Sequence, residues 1–131
     1  MRRIVLLFAL ALLVLSLAAC KSGSSTGNSG TQNPTVTMDA TTFQNATITI
    51  SKGETITFTD DATTGTPHIL VIGKDGAPDD EDGAPDFGGT TGKSFQPGDS
   101  WTSPPWNTSG TYHVTCTIHP TTMTLTVIVN G

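Results

Sequence analysis

Short runs in which apolar residues alternate with threonine and other polar residues constrain the fold of this chain most strongly. Ile48 and Ile50 alternate in one run, and Ile56 and Phe58 alternate in the next, after a turn over residues 51–54. A period of two places the apolar side chains on one face of a β-strand. No helical periodicity follows the first nineteen residues. The pattern therefore predicts an all-β sandwich of two sheets, and residues 35–131 are long enough to bury one core.

Three side chains of metal-binding type lie close together near the C-terminus. Cys116, His119 and Met123 fall within eight consecutive positions. Tyr112 and Val114 alternate with Cys116, so the thiol is expected to point inward from the end of its strand. A thiolate, an imidazole and a thioether together suit copper, which can be held by one cysteine and two histidines with a long axial methionine bond.

The second histidine must come from elsewhere in the chain. His68 follows Pro67 at the start of an apolar strand, and is the better of the two remaining candidates. His113 alternates in opposite phase to Cys116, so it is expected to point away from the site. A three-histidine site that uses His113 would need a β-bulge.

These residues carry a resemblance to a known family. A strand ending in Gly-x-Tyr-x-x-x-Cys at Cys116, then His119, Met123 and a closing strand over residues 124–129, resembles the small blue copper proteins of the plastocyanin, amicyanin and halocyanin kind. Pro67 and His68 supply the upstream part of the pattern. The resemblance covers residues 35–131. It differs in spacing, because three residues separate His119 from Met123, which leaves the axial copper–sulfur distance open.

The resemblance implies a fold, a cofactor and an activity. The fold would be a cupredoxin-like Greek-key β-sandwich. The cofactor would be one type 1 copper bound by His68, Cys116, His119 and Met123. The activity would be one-electron transfer without enzymatic turnover, and the electron would leave through His119.

The N-terminus predicts export and a lipid anchor. Two arginines precede an apolar run that ends in Leu17-Ala-Ala-Cys20, which resembles a bacterial lipobox. Residues 1–19 are therefore predicted to be a lipoprotein signal peptide, and Cys20 to carry the lipid. Residues 20–34 are predicted to be a flexible tether rich in serine, glycine and threonine. An ordinary secretory signal and an uncleaved anchor are the alternatives.

The net charge and the number of cysteines limit which partners and which compartment fit this chain. Without the leader, four lysines face eleven acidic residues, a formal net charge of −7. This negative charge argues against nucleic acid as a partner and favours a redox protein with a basic docking surface. If Cys20 is lipidated, Cys116 is the one remaining thiol in an oxidising compartment, on the periplasmic or cell-surface side of a membrane. A monomer is expected.

An acidic segment lies between the predicted strands. Residues 75–86, here called the acidic loop, repeat Gly-Ala-Pro-Asp on either side of Asp80, Glu81 and Asp82. It is interpreted as a solvated insertion, a docking patch for a cationic partner, or a calcium site, although its spacing does not match an EF-hand. Trp101 and Trp106 are predicted to pack in or beside the core rather than relay electrons.

Four functions fit the sequence to different degrees. The favoured one is a membrane-tethered extracytoplasmic electron carrier. A copper storage or delivery protein without redox turnover is the main alternative, although such proteins tend to have several methionine or histidine clusters. A zinc-binding or metal-free adhesion domain, and a perturbed copper centre with catalytic activity, complete the set.

Overall fold

The computed structural model of the protein describes residues 33–131. Nine strands and one 3-10 turn at Gly89–Thr91 make up this part of the chain. The strands are β1 Thr35–Met38, β2 Thr47–Ser51, β3 Thr57–Asp60, β4 His68–Lys74, β5 Ala77–Pro78, β6 Lys93–Phe95, β7 Ser100–Thr102, β8 Gly110–Cys116 and β9 Thr124–Asn130. In residues 33–131, no helix has the length and apolar character needed to cross a membrane. The predicted leader, the lipidation at Cys20 and nearly all of the tether lie outside the described residues.

The strands form two sheets. The smaller sheet has the order β1-β3-β7, and the larger has the order β2-β9-β8-β4-β5, with β6 also pairing with β4. The chain passes from one sheet to the other several times before the final pair, so that β1 pairs in parallel with β3 and β2 in parallel with β9. This arrangement confirms the all-β fold of two sheets.

The core consists of the apolar residues in the inward phase of each strand. Phe58 of β3 packs its ring against Phe43, Phe87 and Trp101, with centroid distances of 6.5, 5.6 and 6.3 Å. Trp106 is fully buried, and its indole N–H donates a hydrogen bond to Ser103 Oγ at 3.2 Å. The two tryptophans pack as predicted, Trp106 within the core and Trp101 against it.

The acidic loop and its flanks are more ordered than the sequence suggested. Two short strands, β5 and β6, lie in the region where the alternation is lost, and Phe87 and Phe95 are buried there. Glu81 ties the acidic loop to β8, because one carboxylate oxygen accepts the main-chain N–H of His113 at 2.7 Å and the other lies 2.9 Å from its Nδ1. The acidic loop is therefore tied to the sheet at β5 and at Glu81, while most of its residues are exposed to solvent.

Sheet register brings the candidate ligands to one end of the sandwich. β4 runs antiparallel to β8 with Leu70 opposite Cys116, which places His68 two positions beyond the end of β8. β8 continues into β9 with Thr115 opposite Thr124, so the connection over residues 116–123 turns at the same end. We call this connection the ligand loop.

Candidate metal centre

Three side-chain donors converge where the ligand loop meets β4. His68 Nδ1 and His119 Nδ1 each lie 3.8 Å from Cys116 Sγ. The three donor atoms lie within 4.8 Å of one another, and this is the one such group found among the described residues. The structure thus brings the donor atoms of three of the four predicted ligands close together.

The spacing of these atoms fits a trigonal metal site. Metal bonds of about 2.0–2.1 Å to nitrogen and about 2.3 Å to sulfur, the lengths that zinc takes with these donors, place sulfur and nitrogen about 3.8 Å apart at a trigonal angle of about 120°. A tetrahedral angle would give about 3.5 Å. The observed separation of 3.8 Å between the Cys116 sulfur and each histidine nitrogen matches the trigonal value. One thiolate and two imidazoles form a donor set that suits copper.

His68 is the interior donor. It begins β4, pairs with Phe95 of β6 and has no exposed surface. Burial lowers the pKa of His68, and the nearby charge of His119 lowers it further, whereas the main-chain carbonyl of Asp39 raises it. A lowered pKa keeps the ring neutral, and a neutral ring has a nitrogen lone pair free for a metal.

Cys116 is held by the closure of the ligand loop. Its main-chain N–H donates to the carbonyl of Met123 at 3.0 Å, and the N–H of Met123 donates to the carbonyl of His119 at 3.1 Å. Thr115 Oγ1, which is buried, also donates to the Met123 carbonyl at 3.1 Å. Cys116 is fully buried, as predicted from the strand alternation. The first and last residues of the loop are therefore fixed to each other.

Met123 is predicted to be an axial ligand, and the structure shows that its side chain also packs in the core. It is fully buried and closes the ligand loop immediately before β9. It also belongs to the hydrophobic core together with Leu125 and Val127. The packing role is thus established, and the thioether as an axial donor stays a prediction.

The turn between β4 and β5 packs against the ligand loop. Asp75 and Gly76 both have positive φ, of 51° and 74°, in this tight turn. The Gly76 N–H donates to Thr115 Oγ1 at 2.9 Å. A Cβ at position 76 would lie 2.3 Å from Cβ of Pro120, so only glycine lets the turn approach this closely. The turn thereby supports the ligand loop from one side.

His119 is the donor nearest to solvent. It is half-buried, whereas Cys116 and His68 are fully buried. Ile118 beside it is 44 % exposed and is the large hydrophobic residue that stands out on the described surface. Pro120 on the other side is also exposed. An imidazole that bridges the donor cluster and this apolar surface fits the edge position predicted for His119.

His113 lies apart from the donor cluster. Its ring contacts Glu81 and takes no part in the group of three donors. The prediction that strand alternation turns it away from the site is therefore confirmed. No acidic residues among positions 33–131 join a comparable group, so the described structure lends no support to a calcium site in the acidic loop.

Asp60 is a residue near the site that the sequence analysis missed. The structure makes Asp60 the last residue of β3 and buries it to 1 % exposure. A signal was present, because Asp60 continues the inward phase of Ile56 and Phe58. Burial raises the pKa of Asp60 to about 6, and the charges of Asp99 and Asp61 add to this effect.

Comparison with known proteins agrees with this geometry. The family described as copper binding proteins, plastocyanin/azurin family, matches residues 31–130. Among curated proteins, no sequence match was found. The fold is similar to that of amicyanin from Paracoccus versutus (Thiobacillus versutus), at 21% identity, with a TM-score of 0.55 over 79% of this chain and 86% of that chain.

Two solved variants of amicyanin are also similar in fold. A reduced proline variant is 17% identical, with a TM-score of 0.55 over 79% of this chain and 87% of that chain. An oxidised proline variant is 16% identical, with a TM-score of 0.55 over 86% of this chain and 88% of that chain. The family match spans most of the sequence and includes all of the candidate ligands. This chain is therefore a cupredoxin, a member of the plastocyanin/azurin family of copper-binding proteins.

Proposed function

We propose that this protein is a one-electron carrier whose type 1 copper site cycles between Cu(II) and Cu(I). The observation that carries the proposal is the convergence of one thiol and two imidazoles at spacings that suit a trigonal site. Bound copper supplies the one-electron couple. His68, Cys116 and His119 would hold the copper, and a donor set that fully satisfies neither oxidation state would keep the structural change on electron transfer small.

The strands and hydrogen bonds around the donor residues favour a rigid site. His68 and Cys116 stand on paired strands of the larger sheet, and the ligand loop is closed by main-chain hydrogen bonds between Cys116, His119 and Met123. A site held in this way changes little in shape when its charge changes. Met123 would supply a weak thioether donor that completes the site and tunes its potential.

The proposed route for the electron is the imidazole of His119. This ring links the buried thiol to a surface formed by Ile118 and Pro120. An apolar surface loses its water readily when a partner docks, which shortens the distance between the two redox centres. The proposed role is electron transfer rather than enzymatic turnover.

The proposed partners are redox proteins with a basic docking surface. The formal charge of −7 after removal of the leader favours them. Asp75 is exposed and directly precedes Gly76, which packs against Pro120, so this acidic residue also supports docking of a basic partner near the apolar surface. Electron transfer to a basic partner is therefore expected to slow as the salt concentration rises.

The proposed location is the outer side of a bacterial membrane, with a lipid on Cys20. The motif Leu17-Ala-Ala-Cys20 and the tether that follows it support this location. Cells grown with a labelled fatty acid test it, since the wild-type chain should incorporate label and remain with membranes. Cys20→Ser should abolish both, and label retained by that variant would contradict the lipid anchor.

Rapid-mixing kinetics separate the carrier from a storage or delivery protein. The copper-loaded chain is mixed with a small inorganic reductant, and the reduced chain with a small oxidant, while the visible absorption is followed. A carrier should exchange electrons rapidly in both directions and retain its copper. Slow exchange with loss of copper to a chelator would contradict the proposal and favour delivery.

A further inference from the structure

Asp60 is a buried carboxylate without a hydrogen-bond partner for either oxygen. It ends β3 opposite Met38 of β1 and has 1 % of its surface exposed. Its main-chain groups are satisfied, because its N–H donates to Asp99 and its carbonyl accepts from Gly98. Both side-chain oxygens lack a partner in the described structure. A buried carboxylate in this state is costly, so a compensating group is expected nearby.

The nearest candidate is the ring nitrogen of His68 that faces away from the thiol. His68 Nε2 lies 3.7 Å from Asp60 Oδ1, and both side chains are fully shielded from solvent. Four buried side-chain atoms without a partner are found among the described residues, and three of them belong to this pair. The other nitrogen of the same ring, Nδ1, is the one that faces Cys116 Sγ at 3.8 Å.

We propose that Asp60 is a positioning residue for the metal centre, whose carboxylate accepts the Nε2–H of His68 and so leaves Nδ1 free as the donor. The inference rests on the proposed function, since it assigns the carboxylate a role only when Nδ1 binds copper. A metal-binding histidine commonly donates its second N–H to a carboxylate or carbonyl, which fixes the tautomer and the ring orientation.

The separation of 3.7 Å is longer than a direct hydrogen bond. A small rotation of either side chain, or one bridging water, closes it. The main-chain carbonyl of Asp39 is the competing acceptor for the same ring. The two acceptors differ in charge, because the carboxylate carries a full negative charge and the carbonyl only a dipole.

This difference in charge has a measurable consequence. A carboxylate that accepts the Nε2–H makes the imidazole a stronger electron donor. A stronger donor favours Cu(II) over Cu(I), so Asp60 holds the reduction potential down. Removing its charge should weaken the binding of Cu(II) more than that of Cu(I) and should raise the potential.

Asp60→Asn tests the proposal in the full chain purified in detergent, and Asp99→Asn is the matched control. Asp99 is an exposed acid close enough to raise the pKa of Asp60, and its carboxylate accepts the Gln96 N–H rather than facing His68. Three quantities are measured on each protein: the affinities for Cu(II) and Cu(I), the reduction potential, and the nitrogen NMR signal of the His68 Nε2–H in the Cu(I) form.

The expected result is a loss of about ten- to a hundredfold in Cu(II) affinity for Asp60→Asn. A smaller loss for Cu(I) should accompany it, and a tenfold difference between the two losses raises the potential by about 59 mV. The Nε2–H signal should shift and exchange faster with water.

Three other outcomes overturn one proposal or the other. If Asp60→Asn and Asp99→Asn give the same affinities, potential and NMR signal, the carbonyl of Asp39 alone holds the ring and the role of Asp60 fails. If Asp60→Asn only destabilises the metal-free protein, Asp60 is structural and its positioning role also fails. If the wild type binds no copper in the same titration, the proposed function itself fails.

Discussion

The two histidines of the candidate site lie in contrasting parts of the molecule. His68 belongs to β4, is fully buried and faces Asp60. His119 belongs to the ligand loop, is half-buried and stands between exposed residues. Both nitrogens nevertheless lie at the same distance from Cys116 Sγ. Under the proposed function, the two histidines would therefore differ in role: the interior one would fix the metal and its potential, and the surface one would exchange electrons with partners.

Replacing each histidine by glycine in turn should have the largest effects on copper binding. The two variants should differ in whether added imidazole rescues them. Both variants should lose copper affinity by more than the ten- to hundredfold typical of a residue that only supports a ligand. Added imidazole should restore the visible absorption of His119→Gly, because the vacated position opens to solvent. It should not restore that of His68→Gly, whose position is enclosed by the core.

The same pair should differ in stability. His68→Gly leaves a cavity in a buried strand, which should lower the free energy of unfolding of the metal-free protein by about 2–5 kcal/mol. His119→Gly removes a half-exposed ring from a loop and should cost less. Urea unfolding of the two metal-free variants measures the difference. Equal rescue by imidazole, together with equal stability, would contradict the division between interior and surface donors.

Gly76→Ala sharpens the comparison by disturbing only the loop side of the site. An added Cβ would lie 2.3 Å from Pro120 Cβ, so the ligand loop must shift. Gly53→Ala is the control, since Gly53 also has a positive φ, of 88°, but has nothing within 4 Å of the added carbon. Both changes should cost about 1–2 kcal/mol of backbone strain.

The clash should add about 1–3 kcal/mol for Gly76→Ala alone. It should also change the visible spectrum of the copper form, because Pro120 follows His119 directly. Urea unfolding and absorption spectra of both variants check these expectations. A Gly76→Ala protein with the stability and spectrum of Gly53→Ala would show that the turn does not support the ligand loop.

Ile118→Ser should have the smallest effect on the protein itself. Ile118 is 44 % exposed, so the change in the free energy of unfolding should stay within about 0.5 kcal/mol. Electron self-exchange should slow by about tenfold, equivalent to ~1.4 kcal/mol, as the apolar contact is lost. NMR line broadening in mixtures of oxidised and reduced protein measures this rate. Thr117→Ser, a milder change on the other side of Ile118, is the control. An equal self-exchange rate in both variants would show that the electron does not leave through the surface at Ile118.

Local patterns were sufficient to predict much of the fold and most of the site. The alternation of Tyr112, Val114 and Cys116 predicted both the strand and the inward direction of the thiol. The spacing of Cys116 and His119 predicted two donors on one loop, because the connection between adjacent strands returns to the same point. His68 was predicted by elimination and by its place at the start of an apolar strand.

Contacts between distant segments were beyond the reach of these patterns. Asp60 and His68 lie close together although β3 and β4 belong to different sheets, and alternation along each strand does not predict that packing. Gly76 contacts Pro120 through the pairing of β4 with β8, forty-four positions apart in the chain. Strands β5 and β6 were missed because two or three residues are too few to show a period.

The absorption spectrum of the full chain during titration with Cu(II) tests the central claim most directly. We predict an intense visible band that saturates at one copper per chain, because the Cys116 thiolate transfers charge to Cu(II) in a trigonal site. Cys116→Ser should abolish the band, and His113→Gln, on the same strand but outside the donor group, should retain it. Weak visible absorption in the wild type, or a band that survives Cys116→Ser, would contradict the assignment.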